Sequence, residues 1–228
     1  MSKIEKKRAA RIAASLEKHY GKPRPMSRDR EDPLYVLVLT ILSQNTNDVN
    51  RDRAMERLQI RFPEWKDLAR ANRRSIESAI RVGGLANQKS ARIKEVMKWT
   101  KATFGDYSLD KMSEMSTEKA YETLTALKGV GPKTASIVLL FGFDRPLFPV
   151  DTHIHRVSTR LGFLKPGTTA AEAHTVLGNI FDPKNYYSIH INIINHGRAL
   201  CWARKPSCAK CFLADECPWP ESNPEKRN

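Results

Sequence analysis

The chain has 228 residues, 40% of them hydrophobic and 28% charged, which suffices for one large domain or two small ones and excludes a broadly disordered chain. Lysine and arginine outnumber the acids 39 to 25, a formal charge of +14, so the expected partner is a polyanion, with nucleic acid ahead of a membrane surface. No apolar stretch approaches the roughly 18–20 residues of a membrane span, and the N-terminus lacks the apolar core of a signal peptide.

In chain order, "MSKIEKKRAARIAASLEKHYGKP" places Ile4, Ile12 and Leu16 at helical spacing and stops at Gly21 and Pro23. It predicts a basic amphipathic helix in a cytoplasmic protein, and Glu5 and Glu17 argue against a transit peptide. "DPLYVLVLTILSQNTND" is a β-branched apolar run that fits a buried strand or a buried helix. Asp32 before Pro33 favours the helix, as an N-cap followed by proline in the first turn. "RDRAMERLQIRF" carries Ala54 and Leu58 and ends at Arg61-Phe62-Pro63; "ANRRSIESAIRVGG" carries Ile76 and Ile80 and ends at Gly83-Gly84. "NQKSARIKEVMKWTKATFG" sets Ile93, Val96 and Met97 on one face and stops at Gly105. "STEKAYETLTAL" opens at Ser116 and runs into "LKGVGPKTASIVLL". After Pro166, "TTAAEAHTVLGNIF" and "YYSIHINIINHGRALC" are helical in pattern, and "PWPESNPEKRN" is expected to be a loose polar tail. The pattern is all-α with short connections.

The four cysteines, Cys201, Cys208, Cys211 and Cys217, fall within seventeen residues. Without a secretion signal, disulfides are disfavoured, and clustered cysteines point to a four-thiolate metal site. Zinc and a [4Fe-4S] cluster both accept four thiolates, and the single C-x2-C knuckle tilts mildly to the cluster. Arg204 and Lys205 lie between the first two ligands, on a short tethered loop suited to phosphate contact or simply to solvent.

"LKGVGPKTASIVLL" fails both nucleotide-loop patterns. Pro132 separates Gly131 from Lys133, and Thr134 stands where a dinucleotide loop needs its third glycine. Two helices joined at Gly129-Val130-Gly131 fit better, with positive φ available at both glycines and Pro132 opening the second helix. Such a hairpin offers backbone amides to a phosphodiester without reading bases.

Eighteen residues after Lys133 comes Asp151, in "FPVDTHIHRVSTRLGF". "LKGVGPKTA", then "VDTHIHRV", then "HGRALCWARKPSC" and C-x6-C-x2-C-x5-C resemble the endonuclease III family of helix-hairpin-helix DNA glycosylases, over about Pro33 to Cys217. The resemblance implies an all-α, two-lobed fold: residues 34–146 as a six-helix lobe holding the hairpin, and residues 1–33 with 147–228 as a second lobe holding the cluster. It implies double-stranded DNA with a damaged or mispaired base as partner, bound in the cleft between lobes with the nucleotide flipped out. It further implies a monomer, a [4Fe-4S] cluster on the four cysteines, no membrane, and a cytoplasmic, nucleoid-associated location.

By the same resemblance Lys133 is the nucleophile, whose neutral amine attacks C1′, and a helix start and desolvation favour that form. Asp151 is the carboxylate that stabilises the departing sugar, and its position also fits an N-cap of "THIHRV". A lysine–aspartate pair implies a bifunctional glycosylase and lyase, and the resemblance gives oxidised pyrimidines as the family's default substrates. The alternatives are removal of thymine or uracil opposite guanine, or of mispaired adenine, and a non-catalytic DNA-binding module. Adenine-specific relatives usually carry a C-terminal recognition domain, and the eleven residues after Cys217 count against that alternative. Leu85 in "GGLANQK" matches the wedge into the base stack, Asn45, with Gln44 beside it, the polar probe of the vacated site, and His153 the pocket. Gly129, Val130 and Gly131 are expected to present phosphate-binding amides. Asn45, Ala86 and His155 depart from the family pattern, which bears on lesion preference.

Overall fold

The computed structural model describes residues 3–23 and 32–222, and among these it is helical throughout, with no strand. The helices are α1 (Lys3–Tyr20), α2 (Pro33–Leu42), α3 (Asp48–Arg61), α4 (Trp65–Arg70), α5 (Arg73–Ile80), α6 (Ala86–Phe104), α7 (Thr117–Thr125) and α8 (Pro132–Ile137), then α9 (Thr152–Arg160), α10 (Ala170–Ile180), α11 (Tyr186–Ala199) and α12 (Trp219–Ser222). Two compact units divide them: Asp29–Arg145, and Met1–Arg28 with Pro146–Asn228.

Caps set most of the boundaries. The Asp32 carboxylate accepts from the Leu34 amide at 2.8 Å and Pro33 follows, so the ambiguous apolar run is a helix, α2. Asn47, Asn72 and Ser116 cap α3, α5 and α7 in the same way. Thr169 and Glu172 form a reciprocal capping box at α10. Gly105 closes α6 at φ 80°.

In the first unit α2 is the axis. Leu34, Leu37, Val38 and Ile41 are fully buried, and α3, α6 and α8 pack around it. Ile93, Val96 and Met97 of α6 and Ile76 and Ile80 of α5 complete this core. Burial of each such side chain is worth about 1.5–3 kcal/mol. The helix after the hairpin widens into a π turn over Val138–Gly142. Its last residue must be glycine, because a Cβ there would stand 3.0 Å from Pro33 Cα.

In the second unit α1 lies on α10 and α11, and α9 lies on α11. Ile12 and Leu16 of α1 are buried, whereas Ile4 is 78% exposed, so the buried stripe predicted for α1 starts later than its periodicity suggests. Polar bonds seat the same helix: Ser188 Oγ donates to Glu17 at 2.5 Å, and Asn192 donates to the Gly21 carbonyl at 2.9 Å. The expected loose tail begins as the short helix α12, and residues 223–228 lie outside the described residues.

Candidate functional site

The hairpin joins α7 to α8. Gly129 has φ +84°, in the left-handed region, while Gly131 is extended (φ −93°, ψ −178°) as the N-cap of α8. Positive φ is available to both glycines and is used at one. At Gly131 the space a Cβ would fill is open, so the backbone is bare to an approaching group. The Val130 side chain is buried and its amide donates to the Leu127 carbonyl at 2.9 Å. That amide closes the turn.

Arg92 of α6 braces the hairpin from outside. Its guanidinium donates to the Lys128 carbonyl, pairs with Glu95 at 3.1 Å, and occupies the space a side chain at 129 would need. Pro132 is the first residue of α8 and Lys133 the second, exposed in the first turn of that helix.

Asp151 belongs to the other unit. Its Oδ1 accepts the Ile154 amide at 2.8 Å and caps α9, as the sequence suggested. Two residues on, the half-buried His153 accepts at Nδ1 from Arg156 at 3.1 Å, and burial holds its pKa below the usual range. His155 donates from Nε2 to the Thr168 carbonyl at 2.8 Å, tying α9 to the following loop. Lys133 and Asp151 thus each stand at a helix start, Lys133 in the first unit and Asp151 in the second.

Gln44, Asn45 and Leu85 come together in the first unit. Gln44 and Asn45 are exposed just beyond the end of α2, and Leu85 is 45% exposed immediately before α6. Asn45 (φ 50°) and Leu85 (φ 49°) both take the left-handed conformation, which costs a non-glycine residue about 1–3 kcal/mol. Beneath them is a residue the sequence reading passed over. Lys89, 3% exposed, donates from Nζ to the Leu42 carbonyl at 2.7 Å and to the Gly83 carbonyl at 2.9 Å. Burial lowers its pKa. Its register, one helical turn before Ile93, is the signal that would have placed it on the inner face.

The four cysteines line one small cavity, whose other walls include Val157, Leu161, Leu200 and Leu213. No disulfide joins them. Among the described residues no three His, Cys, Asp or Glu side chains converge on a single metal-ion position. Burial pushes the Cys211 thiol up to about 11 and raises those of Cys208 and Cys217. The His196 ring lies 3.7 Å from Cys211 Sγ through Nε2, and its Nδ1 is 3.2 Å from the Tyr20 hydroxyl.

Arg160, the last residue of α9 and buried, holds the loop from Cys201 to Cys208. It donates to the carbonyls of Trp202 at 2.6 Å and Ala203 at 3.0 Å and to Cys201 Sγ at 3.3 Å. Arg156 adds a bond to the Cys201 carbonyl at 3.1 Å. With these carbonyls turned inward, Arg204 and Lys205 are exposed, Lys205 with φ 49°. Three predicted DNA-contact residues, Asn45, Leu85 and Lys205, therefore share the same uncommon backbone state.

Residues 38–183 match the model of the HhH-GPD superfamily base excision DNA repair proteins. The chain belongs to that family. It is 34% identical over 193 residues to Endonuclease III of Thermotoga maritima, covering 85% of this chain and 86% of that one. To Endonuclease III of Sulfolobus acidocaldarius it is 37% identical over 183 residues, 79% of each chain. Among solved structures, a non-covalent Endonuclease III–DNA complex matches with a TM-score of 0.81 and 24% identity, over 96% of this chain and 98% of the other. A thermostable thymine-DNA glycosylase matches at 0.80 with 18% identity, over 95% and 98%. These likenesses carry the all-α fold, and the family carries the class of activity: an endonuclease III-like DNA glycosylase of base excision repair.

Proposed function

We propose that the protein is a bifunctional glycosylase and abasic-site lyase that excises oxidised pyrimidines from duplex DNA, with Lys133 as nucleophile. The observation that carries this reading is Lys133 itself: an exposed amine in the first turn of α8, directly behind a bare-backboned glycine hairpin. A hairpin that binds a phosphodiester at Gly129 and Gly131 brings the amine to the adjoining sugar.

The flipped nucleotide exposes its glycosidic bond. Nζ of neutral Lys133 attacks C1′, the C1′–N bond breaks, and the base leaves with the bonding pair, taking up a proton. Ring opening gives the Schiff base between Nζ and C1′. Loss of a C2′ proton then breaks the bond from C3′ to its oxygen, cutting the strand 3′ to the lesion, and water releases the lysine. The Asp151 carboxylate offsets positive charge on the sugar during the first step and moves protons in the later ones. Its bond to the Ile154 amide fixes its rotamer. Asn45 and Leu85 fill the space left in the duplex, His153 lines the pocket, and Arg204 and Lys205 contact phosphates.

The four cysteines hold a [4Fe-4S] cluster in this reading. The donor set suits it: four thiols spread around one cavity, apolar walls, and Arg160 donating to one sulfur. Thiolate ligation would release the thiol protons to solvent as the cluster binds. The cluster's contribution is structural, since the reaction transfers no electrons from it, and what this chain's residues do is hold the Arg204–Lys205 loop. Double-stranded DNA is the partner, with the protein acting as a monomer in the cytoplasm, associated with the nucleoid.

Single-turnover cleavage across oxidised, deaminated, mismatched and abasic duplexes tests the reading. Fastest release from oxidised pyrimidines, with strand cleavage at abasic sites, is the expected result. Release of thymine or uracil opposite guanine with no strand cleavage would overturn both the substrate and the lyase step.

A further inference from the structure

The mechanism leaves one buried charge unused. Lys89 sits in the first turn of α6, where the helix dipole opposes a cation, and burial there adds a desolvation penalty. Its placement is offset by bonds to two separate chain segments. The Leu42 carbonyl ends α2, three residues before Asn45; the Gly83 carbonyl lies two residues before Leu85. The Lys89 amide also donates to the Leu85 carbonyl at 2.9 Å. The two segments touch, since a Cβ on Gly84 would lie 4.0 Å from the Asn45 carbonyl oxygen. Left-handed residues persist where their surroundings over-determine them, and here one ammonium reaches the backbone of both segments.

We propose that Lys89 is a positioning residue: it locks the segments bearing Asn45 and Leu85 into one rigid element, so that the amide and the leucine enter the duplex together. The inference rests on the reading of those two side chains as probe and wedge. A loose wedge leaves phosphate binding intact and spoils registration of the lesion. Misplacement on the scale of 1 Å reduces rates by as much as about 100-fold.

The test uses the full-length protein and a duplex carrying 2-aminopurine opposite a tetrahydrofuran abasic analogue. Wild type is expected to raise the fluorescence by unstacking the reporter, and Leu85→Ala to blunt the rise. Lys89→Met is expected to blunt it comparably and to slow single-turnover strand cleavage at a true abasic site about 10- to 100-fold. Affinity for undamaged duplex should stay within about twofold, because phosphate contacts supply it. In the Leu85→Ala background Lys89→Met should slow the same cleavage by less than about threefold, the non-additivity of residues acting as a unit. Full additivity, or a Lys89→Met protein as responsive as wild type, overturns the role of Lys89 alone. A wild type with no fluorescence response and no dependence on Leu85 overturns the wedge reading, and this inference with it. Should Lys89→Met fail to fold by circular dichroism, Lys89→Gln, whose amide nitrogen is one bond closer to the backbone than Nζ and so shifts or loses the two carbonyl bonds, is expected to show the same blunting and slowing.

Discussion

Two exposed segments of this molecule present side chains toward DNA in the proposed function, and they are held in opposite ways. The segment at Gly83–Leu85 is fastened by Lys89, which reaches main-chain carbonyls from a buried position in the hydrophobic core. The segment from Cys201 to Cys208 is fastened by Arg160 and Arg156 and stands over a cavity lined by four thiols. A loop that must register with a base stack is braced by local protein bonds that form with the fold. A loop that only needs to carry two cations can be braced by a bound group. The first should therefore be insensitive to cluster loss and the second should not.

The largest effect expected from this contrast follows from Cys208→Ser. Hydrogen exchange at the amides of Ser207 and Cys211 should rise about tenfold or more, equivalent to roughly 1.4 kcal/mol or more. Exchange at the Lys89 and Gly84 amides should stay unchanged. Equal loosening of both segments would break the distinction. A smaller effect is expected from Arg160→Met, which removes the donor to the Trp202 and Ala203 carbonyls. It should destabilise the unit containing the cysteines by about 1.5–3 kcal/mol in urea unfolding, the range for bonds to a charged group. Bound iron should be retained, since the four thiols remain.

Much of the architecture was legible because caps are local chemistry. Asp32 and Ser116 announced their helices before any packing was known, and Ile93, Val96 and Met97 lie inside as their spacing required. The hairpin was legible as a turn, but not its details. Which glycine takes positive φ, and that the Val130 amide is spent within the turn, depend on how the chain closes between two helices. Ile4 obeys the helical period and is exposed, because periodicity does not say where a partner helix stops. Lys89, Arg92 and Arg160 were missed for a shared reason. Each is a cation in a strongly basic chain whose meaning lies in carbonyls far away in sequence, 36 to 47 residues distant in the long-range bonds. Charge alone marks them as surface; only the register of Lys89 with Ile93 and of Arg160 with Val157 hints otherwise.

In the proposed mechanism Lys133 forms the covalent bond to the sugar. Borohydride trapping on oxidised-pyrimidine and abasic duplexes measures it directly. Wild type should yield a covalent protein–DNA adduct, and Lys133→Gln should yield none while binding the same duplex with affinity within about threefold, the difference of a single phosphate-proximal charge. An adduct that survives in Lys133→Gln, or no adduct from wild type on any duplex, would contradict it.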